Sequence, residues 1–243
     1  MPRSGGEADK LGNQYEAIWT VDVVIDVFRG AFKSITVEAF GDESKGVEFH
    51  LETPNNTLQF HSVKRQKQGS DWSVADLCRQ DASTERSILG DLFEKRRTYP
   101  GAEMRFVSAT GANELRELSE RAETPANVSE FRQALSPELQ IKFDQRIVPL
   151  CRGDEEFAFS ALKSLEVIPR GHKDLLRSVE RRIEKLFYRT DAAPLKPDDV
   201  RVLSASMQNV FGAESASVGR AAGGALGPAR QLGSVSLRVS PQA

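Results

Sequence analysis

Glu48 and Lys64 flank a Pro54-Asn55-Asn56 stretch with strong turn chemistry. If these three residues form a hairpin loop, Thr53 faces Thr57, Glu48 faces Ser62 and Gly46 faces Lys64. Alternation along the strands then puts Glu48, Ser62 and Lys64 on one face of a sheet, with His50 beside them. A four-residue loop would shift the register by one and break this arrangement. A carboxylate beside a lysine on adjacent strands suits metal-assisted hydrolysis of a phosphodiester. Glu48 is expected to hold a hard divalent cation, Mg²⁺ or Mn²⁺, with the backbone carbonyl of Val63 as the natural further oxygen donor. Lys64 is expected to position or polarise the attacking water and to stabilise the developing negative charge. The alternatives are a solvated glutamate on a half-exposed strand and a lysine that merely begins the charged run KRQKQ.

Other residues offer weaker chemistry. Arg65 and Lys67 extend the same strand and Trp72 follows in a polar loop, a candidate phosphate-gripping patch with an aromatic at its edge. The competing reading is a solvated charge run with a core-anchoring tryptophan. His50, His61 and His172 have no Cys or His at ligand spacing, so no zinc site is expected. Cys78 and Cys151 lie far apart and read as reduced thiols. The formal net charge is −2, so any nucleic-acid contact must come from a local patch rather than from a bulk basic excess. The first residues, MPRSGGEADKLG, contain no apolar signal core, and no apolar run approaches the roughly 20 residues of a membrane span. A cytoplasmic protein without a membrane segment is expected. The P-loop pattern, GxxxxGK followed by Ser or Thr, does not occur.

The elements that must hold these residues are legible from periodicity. From Ala8 to about Phe28, apolar residues recur at three- and four-residue spacing, the stripe of an amphipathic helix, and Gly30 ends it. Ser34 to Phe40 and the stretch GVEFHLET read as strands, and Thr57 to Gln66 as a third. A helix around Ser83 to Arg97 and a fourth strand from Ala102 to Thr110 follow. Helix, three strands in a meander, helix and strand call for an α/β core with a mixed central sheet. After Thr110 the pattern becomes helical throughout, over Asn113–Ala122, Ser129–Leu135, Pro137–Val148, Glu155–Leu165 and Lys173–Phe187. The expected organisation is a core over 5–110, an all-α extension over 111–211 and a disordered Gly/Ala/Ser-rich tail over 212–243. No acidic residue follows Glu214. That composition also fits a chain cut from a longer protein, or a last stretch out of frame.

The element order, with the pieces GGEADKLGNQYEAIW, VEAFGDESKGVEF and HSVKRQ, resembles the PD-(D/E)xK nuclease superfamily, restriction-endonuclease-like and of the Mrr-like branch. More narrowly, it is similar to the double-stranded-DNA endonuclease domains at the N-terminus of bacterial anti-phage effectors, those fused to STAND NTPases and those of CBASS systems. The resemblance implies a metal-dependent endonuclease acting on double-stranded DNA. It gives Glu48 the acidic position of the second strand, Lys64 the lysine of the third and Gln66 the glutamine two beyond. It places Glu16 where the first helix often supplies an acidic or amide group. The position two before the lysine is usually Glu or Gln and here is Ser62. A hydroxyl is a weaker, shorter ligand than a carboxylate, so the site is expected to hold its cation less tightly or to draw on Glu38. That departure motivates the alternative, a catalytically degenerate module that binds DNA or a partner. The implied partners are double-stranded DNA, an NTPase or sensor module on a longer chain or a second polypeptide, and a second copy of the chain, since such nucleases often cut both strands as dimers.

Overall fold

Helix α1 (Gly5–Phe28) stops at Gly30, whose φ of 76° is the left-handed conformation glycine adopts freely. The Gly30 N–H donates to the Val27 carbonyl and the Ala31 N–H to the Asp26 carbonyl, both at 3.0 Å, the paired bonds of a Schellman ending. Strand β1 (Ser34–Val37) follows, then β2 (Phe49–Glu52) and β3 (Leu58–Lys64). This computed structural model describes residues 5–37, 47–65, 71–82, 85–187, 196–221 and 235–238.

The turn between β2 and β3 has the expected three-residue loop. The Thr53 N–H donates to the Thr57 carbonyl at 2.9 Å and the Asn56 N–H to the Thr53 carbonyl at 3.0 Å. Asn56 takes φ 62°, the left-handed residue that closes such a loop and that asparagine tolerates. The ladder pairs Phe49 with His61, His50 with Phe60, Leu51 with Gln59 and Glu52 with Leu58, the register expected from the loop.

Helices α2 (Val74–Cys78) and α3 (Ile88–Thr98) lead to β4 (Glu103–Ser108), parallel to β3. Then come α4 (Asn113–Glu123), α5 (Val128–Ala134), α6 (Pro137–Lys142), a π-helical turn at Phe143–Ile147, α7 (Val148–Leu150) and α8 (Glu155–Lys163). Strands do not stop at Thr110, as the sequence suggested. Leu165–Pro169 forms β5, parallel to β4, so the extension is not all-α. Its five residues directly follow a helix and show no alternation, and its pairing partner lies some sixty residues earlier, a long-range contact that local pattern does not carry. Helices α9 (His172–Phe187) and α10 (Pro197–Ala221) and strand β6 (Val235–Arg238) complete the described chain. Residues 212–221 and 235–238, expected to be disordered, therefore carry a helix end and a strand. The sheet order is β5-β4-β3-β2-β1-β6, with antiparallel pairing from β3 to β6 and parallel pairing from β3 to β5.

Two cores sandwich this sheet. The crossovers β3 to β4 and β4 to β5 advance in one direction, so right-handed connections place both sets of helices on one face. There Phe60, Met104 and Phe106 share a single core with Leu92, Leu115, Phe131, Phe143 and Phe159. On the other face α1, α9 and α10 cover Ile35, Phe49, Leu51, Val63 and Val107. Because α1 lies between the sheet and α9 and α10, it is buried on more than the expected stripe: Trp19, Val23, Val24 and Val27 are buried too, while Phe28 at its end is exposed. No helix among the described residues is long and apolar enough to cross a membrane.

Candidate active site

The carboxylate and lysine singled out by spacing meet where β3 ends. Lys64 is the last residue of β3, and its ammonium forms an ion pair with Glu48 Oε1. Glu48 Oε2 accepts the Val63 N–H at 2.5 Å, and the Glu48 N–H donates to the His61 carbonyl at 3.0 Å. The β2–β3 ladder stops at Phe49, one residue short of Glu48, so alternation no longer dictates where that side chain points. The sequence placed Glu48 opposite Ser62; the carboxylate instead takes up the Val63 amide, standing in for a main-chain acceptor. The two side chains remain partly open to solvent, Lys64 at 28% and Glu48 at 16%.

Glu16 joins them from α1. Burial, then the Glu48 charge, push its carboxyl up to about 7 against the pull of Lys64, so near neutral pH it lies close to its point of titration. Burial also pushes the Glu48 carboxyl up, opposed by Lys64 and by the Val63 N–H. For Lys64 burial acts downward, but Glu48 and then Glu16 outweigh it and hold the ammonium above its ordinary value. The site is thus an ammonium paired with Glu48 and acted on by the charge of a second carboxyl, Glu16, which carries or releases a proton around neutrality. Asp91, in the first turn of α3, also acts on Lys64, while its own Oδ1 accepts from Arg86 Nε at 2.8 Å. Asp91 was not singled out from the sequence. Its only signal was an acidic residue in the first turn of the helix after the lysine strand.

The remaining candidates scatter. Val63 is fully buried against the α1 side, and its amide rather than its carbonyl meets Glu48. Ser62 is fully buried, pairs laterally with Phe106, and its hydroxyl has no hydrogen-bond partner among the described residues. His50 packs its ring against Phe60 at 5.5 Å, away from the pair. Trp72 stands edge-on to Phe106 at 6.2 Å and packs on the core with its indole nitrogen buried, the core-anchoring alternative rather than a rim aromatic. Arg65 follows Lys64 and is half-buried. Glu38, Gln66 and Lys67 lie outside the described residues.

One buried polar chain braces β3 and was not anticipated. The Trp19 indole N–H donates to His61 Nδ1 at 3.0 Å, which leaves the proton on Nε2 to be given to Gln59 Oε1 at 2.9 Å; Gln59 Nε2 in turn donates to Glu103 Oε2 at 2.6 Å. Burial, and secondarily Arg105, keep this imidazole well below its usual value, so it is neutral. The chain ties α1 to β3 and β3 to β4, the elements that carry Glu16 and Lys64.

The acidic side chains that the structure brings to Lys64, Glu48 and Glu16, offer oxygen donors. This set fits a hard divalent cation in type. Among the described residues no group of three or more His, Cys, Asp and Glu side chains is assembled that could hold a metal.

Fold and site together define a mixed α/β protein with a carboxylate–lysine centre at the strand ends. Residues 4–203 match the family model described as Cap4, dsDNA endonuclease domain, and the chain belongs to that family. No curated protein and no solved structure matches the chain.

Proposed function

We propose that this protein is a metal-dependent endonuclease of the PD-(D/E)xK type that hydrolyses phosphodiester bonds of double-stranded DNA in anti-phage defence. The observation that carries the reading is the Lys64–Glu48 ion pair at the end of β3 with Glu16 beside it, in a chain whose family is that of the Cap4 double-stranded-DNA endonuclease domain. Glu48 and Glu16 are the residues to hold Mg²⁺ or Mn²⁺, with the Val63 carbonyl and water completing the set, since Mg²⁺ usually keeps several waters. Glu38 and Gln66 are assigned to the same centre on the resemblance alone. Bound there, such a cation neutralises phosphate charge and lowers the pKa of a water.

The chain's own residues supply the rest. Glu16 releases its proton near pH 7 and so offers a second anionic oxygen at physiological pH. Lys64 keeps its proton throughout, and once the Glu48 charge is shared elsewhere its ammonium is available to a non-bridging phosphate oxygen, where it stabilises charge that develops in the transition state. Glu48, bound to the Val63 amide, is held to the strand and keeps that geometry through turnover. An NTPase or sensor module, on a longer chain or a second polypeptide, is the natural source of an activating signal. A second copy of the chain would let both strands be cut.

Supercoiled plasmid incubated with the purified protein and Mg²⁺ or Mn²⁺ is expected to be nicked and linearised, and EDTA to stop this. Lys64→Ala should lower the cleavage rate by about 10³-fold, the scale of removing one preorganised charge-stabilising group, with an unchanged circular-dichroism spectrum. Undiminished cleavage by that variant would remove Lys64 from the site. The fully buried Ser62, standing where the resemblance expects Glu or Gln, favours one rival, a degenerate module that binds DNA without cutting. Titration calorimetry with Mn²⁺ separates the two: saturable binding lost in Glu48→Gln supports the nuclease, and no binding together with intact DNA affinity supports the rival.

A further inference from the structure

We propose that the solvent face of α9 is the track for one phosphodiester backbone of the duplex, an inference that rests on the endonuclease reading. The helix divides its residues cleanly. Leu175, Val179 and Ile183, four apart, are buried on the side that packs on α1. Lys173, Arg177, Arg181 and Lys185, also four apart, are all exposed. At a rise of about 1.5 Å per residue, successive cations stand about 6 Å apart along the helix and the four span about 18 Å. A duplex presents one phosphate per about 3.4 Å of axis in each strand, so the ridge is long enough to follow about five of them.

The surroundings set this face apart from an ordinary solvated helix. Arg170, which follows β5, joins Arg177, Arg181 and Lys185 in lining a groove of about 410 Å³ whose one carboxylate is Asp174. The sixth charged lining residue, Arg182, is already held by Asp22 and Asp26 of α1. The four other cations of the groove, and Lys173, form no ion pair among the described residues. In a chain of net charge −2, such a run is a local positive field rather than a bulk excess. Glu180 and Glu184 lie on the far side of Arg177 and Arg181, toward α10, and confine that field to the groove side. Among the described side chains, α9 carries no large exposed apolar residue of the kind that anchors a helix in a lipid surface. Guanidinium at the two central positions suits bidentate contact with phosphate.

The groove also leads to the site. The Tyr15 hydroxyl donates to the Arg170 carbonyl at 2.9 Å, and Tyr15 immediately precedes Glu16. The His172 ring at the head of α9 lies 6.0 Å from the Tyr15 ring. A backbone seated along α9 therefore arrives at the end of β3, beside Lys64.

The test uses the full chain carrying Lys64→Ala, to prevent cleavage, and measures binding of two unrelated 20-bp duplexes by fluorescence anisotropy across a salt series. Adding Arg177→Ala and Arg181→Ala should raise Kd by at least about tenfold and reduce the slope of log K against log salt by about 1.8, at about 0.9 per phosphate contact. The loss should be equal for both sequences. Arg177→Glu should weaken binding further than Arg177→Ala, and Arg152→Ala, an exposed arginine paired with Glu94 beyond α7, should change nothing. Thermal melts must match, because these side chains are exposed. Unchanged Kd and slope in the double variant, while the parent binds, overturn the track and leave the endonuclease reading standing. A loss confined to one sequence overturns it as a backbone contact. Failure of the wild-type protein to bind either duplex, with or without Mg²⁺, overturns both.

Discussion

Glu16 and His61 titrate in opposite senses, and their signs can be separated. The folded protein raises Glu16 from 4.5 to about 7, so it binds that proton more tightly than the unfolded chain. Its contribution to stability is complete below pH 4.5 and is lost as pH rises through about 7. Glu16→Gln cannot ionise and should melt higher than the parent at pH 8 by about 2–4 °C, with the difference vanishing near pH 4.5. A melting difference that stays constant across the range would refute the Glu16 assignment. His61 behaves the other way: its pKa is depressed by burial, so its stabilising contribution is present above about 6.5 and is lost as pH falls. Over pH 7.5 to 5.5 this loss opposes the gain from Glu16, so the difference in urea midpoint, wild type minus His61→Gln, should fall as pH falls. Glu48 and Lys64 were legible as a pair because both are chemically distinctive and close in sequence. Asp91 was not, because a charged residue in a helix's first turn serves as readily to complement the dipole.

Individual elements explain why the site is held. The hairpin could be read to the residue because a three-residue Pro-Asn-Asn loop admits few closures, and Asn56 meets the left-handed requirement. The end of the ladder could not be read. Alternation governs side chains only while strands pair, and pairing stops at Phe49. Helix α1 is fixed to α9 by Arg182, which bridges Asp22 and Asp26. The Asp22 side chain is only 7% exposed and burial pushes its carboxyl up despite Arg182, so removing the guanidinium leaves a buried acid without its counter-ion. Arg182→Ala should cost about 3 kcal/mol in urea unfolding. Asp22→Asn combined with Arg182→Met should cost less than that single change. Equal costs would mean that the bridge adds nothing beyond packing.

At the scale of the whole molecule, the core joins what the sequence pattern separates. Phe60, Met104 and Phe106 of the sheet pack with Phe131, Phe143 and Phe159 from helices that read as a distinct extension. A fragment ending at Thr110 would expose that face and lose β5 from the sheet edge. It should be unfolded or aggregated, whereas residues 1–203 should melt cooperatively. Sharp amide resonances and protected amides in the 1–110 fragment would contradict the shared core. Phe131→Ala, fully buried between Phe143 and Phe159, should destabilise the intact chain by about 3–5 kcal/mol.

By itself the sequence determined local matters: the bounds of α1, α4, α5 and α9 to within a few residues, the hairpin register, and which acid and lysine meet where β3 ends. These follow from propensity, turn chemistry and alternation, which act over a few residues. Only the tertiary structure decided the rest. It brought Glu16 from α1 to the Glu48–Lys64 pair, paired Leu165–Pro169 with β4, buried Ser62 without a partner and gathered the cations of α9 beside Arg170. Each of these depends on contacts between segments far apart in the chain, where burial and electrostatic fields are set by what packs against a residue rather than by its neighbours in sequence.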